Sequence, residues 1–107
     1  MAYERLVRKM TKENLWLYIL SLLREKPRYA YELRGEIERK FNFKPGQVTS
    51  YLVFYALERE GYIVARGREP SSRGPRRKYY TITAAGRELF EKAEAFIEST
   101  KKKLFSI

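Results

Sequence analysis

Residues 15 to 23 read LWLYILSLL, where only Ser21, the Tyr18 hydroxyl and the Trp16 indole N–H are polar. The run is too short to cross a bilayer, and no signal-peptide cleavage pattern follows it. A cytoplasmic chain is therefore expected. Leu15, Trp16, Ile19, Leu22 and Leu23 recur at helical spacing, and Leu17, Tyr18 and Leu20 widen the apolar face. A helix apolar around so much of its girth has to be covered on most sides, so the rest of the chain must pack around it. The pattern predicts a helix from Lys12 to about Glu25, with Thr11 as N-cap and Pro27 as its stop. Trp16 reads as core, with stacking on a ligand as the other use of an indole.

The remaining elements follow from local signals. Residues 1–10 read as a short helix or a loose arm. A second helix spans about Tyr29 to Lys40, with Ala30, Leu33, Ile37 and Phe41 as its inner stripe. Gly35 inside it costs about 1 kcal/mol relative to Ala, which a close helix crossing would explain. Residues 42–46, NFKPG, form a turn, and Pro45 suits the start of the next helix. That third helix, 47–60, ends at Gly61 as a C′ glycine. Its apolar residues surround it too fully to assign one buried face. Tyr62 to Ala65 reads as a strand, Arg66 to Lys78 as a loop broken by Gly67, Pro70, Gly74 and Pro75, and Tyr79 to Thr83 as the returning strand. Thr83 then caps a helix from Ala84 to about Leu104. The expected fold is mainly α with a small β-hairpin: one domain over 1–107, with a core at 11–83, a hairpin wing at 62–83 and a terminal helix at 84–107.

Charge narrows the function. Lys and Arg number 23 against 13 Asp and Glu, a net charge of +10. Such an excess favours a polyanion: DNA, RNA or an anionic membrane. Glu88, Glu91, Glu94 and Glu98 among the lysines of the terminal helix disfavour lipid. The chain has no Cys and no His, which removes disulfides, thiolate zinc sites and the commonest general base. No carboxylate pair sits in an apolar setting, and no phosphate loop or nucleophile motif appears. Neither an enzyme nor a metal or cofactor is expected. The second and third helices, joined by a short turn, form a helix-turn-helix layout whose second member enters the major groove. In the following hairpin, Arg66, Arg68, Arg73, Arg76, Arg77 and Lys78 face only Glu69. A basic wing at 66–78 suits the phosphate backbone or minor groove.

Three stretches carry a resemblance: YAYEL at 29–33, ALEREGYI at 56–63 and GPRRKYYTITAAGREL at 74–89. Over roughly residues 12–98 the chain resembles the PadR-type winged-helix transcriptional regulators. The resemblance implies a winged helix-turn-helix with a C-terminal dimerisation helix. It also implies a homodimer that binds a pseudo-palindromic operator in double-stranded DNA and represses transcription. Tyr31 and Tyr51 match tyrosines that contact phosphates, although Tyr31 reads equally as a core aromatic. Gln47, Thr49 and Ser50 open the recognition helix, where Gln can bond adenine and Ser or Thr can serve base or phosphate. The same three read equally as plain helix caps. Lys44 is a further phosphate candidate, and Arg73, Arg76, Arg77 and Lys78 are the expected wing contacts. Leu89, Phe90, Ala93, Phe96, Ile97 and Leu104 form the expected dimer seam. Relatives of this kind can take a small aromatic effector, for which Trp16 and Phe96 are the candidate lining. The competing reading is an architectural DNA-binding or RNA-binding protein without operator specificity.

Overall fold

The computed structural model describes the backbone of residues 1–71 and 74–107, and the side chains of 1–66 and 78–107. Helix α2, Leu15–Glu25, is the centre, as its composition requires: Leu15, Ile19, Leu20, Leu22 and Leu23 are all buried. Trp16 is half-buried against this core, and its indole N–H donates to Asn14 Oδ1 at 3.2 Å.

The approach to α2 takes the helical one of its two expected forms and departs from expectation at Thr11. Residues 2–10 form a helix, α1 (Ala2–Met10), that buries none of its residues. One 3₁₀ turn, Lys12–Asn14, separates it from α2. Thr11 does not cap α2, because its hydroxyl donates back to the Val7 carbonyl at 2.6 Å. Glu13 also turns back, to Lys9 at 2.7 Å and Arg8 at 3.1 Å, and the Lys9 and Arg8 cations hold its carboxyl below the usual range. The Tyr18 hydroxyl donates to the Met10 carbonyl at 2.6 Å, and burial pushes this phenol up.

Pro27 stops α2 as expected, with Lys26 already extended. Two residues then form a strand that no local pattern announced, β1 (Arg28–Tyr29). Helix α3 (Ala30–Phe41) therefore starts one residue later than the periodicity suggests, and Glu32 Oε1 accepts the Tyr29 amide at 3.0 Å. Leu33 and Ile37 are buried, with Ala30 and Phe41 at the core's edge. Gly35 does not mark a helix crossing: a Cβ there would meet only the Arg39 guanidinium, at 3.2 Å. Pro45 does not begin the next helix either. It is buried one residue before the cap Gly46, and its carbonyl accepts from Arg34 Nε at 3.0 Å.

Helix α4 (Gln47–Arg59) turns Ser50, Phe54 and Leu57 inward and ends at Gly61, whose φ of 85° suits glycine. The hairpin is longer than expected. Strands β2 (Ile63–Ser71) and β3 (Gly74–Ile82) pair antiparallel from Ile63↔Ile82 to Ser71↔Gly74, through most of the segment that reads as a loop. The ladder slips register between Ala65 and Gly67 and again between Glu69 and Ser71. Arg66 and Pro70 fall in these slips, between the paired positions, and a proline without an amide proton is tolerated where the ladder asks for none. Strand β1 adds to the other edge of β3, giving the antiparallel order β1-β3-β2.

Helix α5 (Ala84–Phe105) leaves the sheet through a tight joint. Thr83 Oγ1 accepts the Gly86 amide at 3.0 Å and donates to the Gly61 carbonyl at 2.7 Å. The Tyr62 carbonyl accepts the Thr83 amide at 3.1 Å. A Cβ on Gly86 would lie 2.2 Å from that same Tyr62 oxygen. Leu89 and Phe90 pack on the core, with the Arg24 guanidinium 4.4 Å from the Phe90 ring centre. Among the described residues, no helix is long and apolar enough to cross a membrane.

Gly86→Ala should lower stability by about 1–3 kcal/mol through overpacking against backbone. A chemical-denaturation midpoint equal to that of the parent chain would contradict this account of the joint.

Candidate nucleic-acid interface

Helices α3 and α4 meet through residues 42–46, with Asn42 in the left-handed region at φ 64°. Arg34, reaching from α3 to the Pro45 carbonyl, holds this turn. Tyr31 lies outside the core at 54% exposure, which removes its reading as a core aromatic. Its ring leans on Tyr29 at 5.6 Å, and Tyr29 meets Tyr79 of β3 edge-on at 6.0 Å. Tyr31, Gln47 and Tyr51 line one cleft of about 130 Å³ between α3 and α4.

The expected contact residues divide by exposure. Gln47, Thr49 and Tyr51 are exposed. Ser50 is buried, and both its amide and its hydroxyl donate to the Gly46 carbonyl, at 2.9 and 2.7 Å. Its hydroxyl therefore serves the helix start, at the cleft that Tyr31, Gln47 and Tyr51 also line. Lys44 lies 4.0 Å from Glu38 in an exposed ion pair, which holds it only weakly. Lys78 is exposed, as is Arg66, whose Nε donates to Thr81 Oγ1 at 3.4 Å. Arg73 lies outside the described residues. Arg76 and Arg77 belong to β3, but their side chains lie outside the described set.

The outermost ridge of α4 does not stand out in the sequence. Val48, Leu52, Tyr55 and Arg59, spaced four, three and four, lie opposite Ser50, Phe54 and Leu57 and are all exposed. Both ridges are largely apolar, so hydrophobicity cannot choose between them. Only the buried neighbours of Phe54, including Tyr80 at 5.0 Å, make the choice.

The expected seam residues divide along α5. Leu89, Phe90 and Ala93 are half-buried in their own chain, whereas Phe96, Ile97 and Leu104 are exposed. An open groove of about 980 Å³ runs between α2 and α5, lined by Leu17, Tyr18, Phe41, Phe90, Ile97 and Phe105 among others. Neither Trp16 nor Phe96 lines it.

The model of the transcriptional regulator PadR-like family matches residues 19–92. The chain belongs to that family. Its PadR-like match runs from the middle of α2 into α5 and so includes the helix pair and the hairpin. The family consists of transcriptional regulators, not enzymes. A protein X of Lysinibacillus sphaericus is 42% identical over 71 residues, which is 64% of this chain and 64% of that protein. A transcriptional regulator from Clostridium thermocellum superposes with a TM-score of 0.74 at 32% identity, covering 87% of this chain and 93% of its own. Bacillus subtilis PadR, solved in complex with operator DNA, shares the fold at a TM-score of 0.66 and 22% identity, over 73% of this chain and 45% of its own.

In this PadR-like chain, Ser50→Ala should cost about 0.5–1.5 kcal/mol of stability, the net value of one hydrogen bond. Thermal and chemical unfolding would measure it. A change in nucleic-acid selectivity with stability untouched would instead put the hydroxyl at the interface.

Proposed function

We propose that this chain is a sequence-specific regulator that binds double-stranded DNA as a homodimer and represses transcription in the cytoplasm. The supporting observation is the exposed face of α4, with Gln47, Thr49 and Tyr51 beside it and the basic hairpin next in the chain. In this reading α4 enters the major groove. Tyr31, Lys44 and Tyr51 meet phosphates, and Arg73, Arg76, Arg77 and Lys78 meet the backbone or minor groove. The operator complex of Bacillus subtilis PadR supports the choice of duplex DNA over RNA.

Residues 1–107 then act as one domain, with 84–107 as the dimerisation helix. The apolar residues that α1 and α5 leave exposed, Leu6, Val7, Phe96, Ile97 and Leu104 among them, favour burial against a second copy. A two-fold dimer would set its recognition helices about 34 Å apart, one turn of duplex.

Selection from a random duplex pool at about 150 mM salt tests the reading, since non-specific binding is weak there. A two-fold symmetric motif is expected. Binding without an enriched motif would favour an architectural or RNA-binding protein. Arg76→Ala with Arg77→Ala should weaken binding to every duplex and reduce the salt slope by about 0.9 per lost phosphate contact. Gln47→Ala should relax selectivity at one base pair, by about 1–3 kcal/mol for a bidentate contact. Sedimentation should give a dimer; a monomer at high micromolar concentration would remove the two-fold model.

A further inference from the structure

Three of the four side chains on the outer ridge of α4 carry carbon where a water-facing helix would carry charge. Val48 is 73% exposed, Leu52 63% and Tyr55 61%. Val48 lies in the first turn and Leu52 in the second, the part of a recognition helix that meets base edges. Neither of these two aliphatic side chains can donate or accept a hydrogen bond, so neither can hold a phosphate. A second copy of this chain is a poor cover for the ridge. The chain carries a net charge of +10, and the ridge itself ends in an exposed cation, Arg59. Three side chains also fall well short of the roughly 800 Å² per partner of a stable protein interface. Positive charge around an apolar strip fits a polyanion with an apolar feature on its floor. In the major groove that feature is the C5 methyl of thymine.

We propose that Val48 and Leu52 read thymine methyl groups, so that the operator half-site carries thymine where these two side chains land. The inference rests on the operator-binding reading and adds the base it prefers. Gln47, beside Val48, supplies polar contact, while the aliphatic pair supplies discrimination that no hydrogen bond provides.

The test replaces thymine by deoxyuridine, one position at a time, in the duplex selected from the random pool. The swap removes one methyl and leaves base pairing intact. At one or two half-site positions the full chain should bind about fourfold more weakly, the factor expected for one buried methyl. Val48→Ser and Leu52→Ser, both at exposed positions, should each abolish the thymine-to-deoxyuridine difference at one of them. A motif whose thymines all tolerate deoxyuridine overturns this inference and leaves the operator reading standing. A pool that yields no motif overturns both. Serine variants that change the sedimentation behaviour while the deoxyuridine effect persists would assign the ridge to a protein contact and also overturn it.

Discussion

A guanidinium taken almost wholly out of water sets the corner on which this fold turns. Arg28 is 6% exposed. It donates to the Leu22 carbonyl, to the Lys26 carbonyl at 3.1 Å and to the Glu36 carboxylate, with Glu25 at 3.6 Å. An unpaired charge in that position would cost several kcal/mol, so burial of Arg28 demands these partners together. They belong to the end of α2 and the middle of α3. Arg28 itself pairs with Tyr80 in the sheet. One residue thus ties the exit of the central helix to the middle of α3 through its side chain, and to the edge of the hairpin through its backbone.

The candidate interface inherits its geometry from that corner. With α3 held, Arg34 reaches the Pro45 carbonyl and sets the turn, and Gly46 then accepts both Ser50 donors at the start of α4. Phe54 and Tyr80 lock the inner face of α4 to the sheet. The outward ridge follows from that placement and is exposed along its length.

Local chemistry was legible in the sequence, and pairing between distant segments was not. The girth of α2, the stripe of α3, Gly61 and the Thr83 cap each rest on residues within one or two turns of one another. Strand β1 has only two residues and exists because β3 offers it an edge. Thr11 turns to Val7 and away from α2, a competition between two nearby partners that composition does not rank. The hairpin runs on because a slip in register absorbs Pro70, while Gly67 and Gly74 stay paired in the ladder. For α4, two apolar ridges compete, and only tertiary contact assigns one inward. Ser50 falls on the inner ridge, where its hydroxyl donates to the Gly46 carbonyl.

The joint at Gly86 has a mechanical meaning. Helix α5 has 22 residues, so it is an arm about 33 Å long. Its root has no clearance, since the Tyr62 carbonyl both holds Thr83 and closes over Gly86. The arm cannot pivot there by itself. A tilt of about 5° would sweep its far end through about 3 Å and carry the base of the hairpin with it. Any force on the tip of α5 is therefore delivered, as through a crank, to β2, which begins at Tyr62's neighbour Ile63.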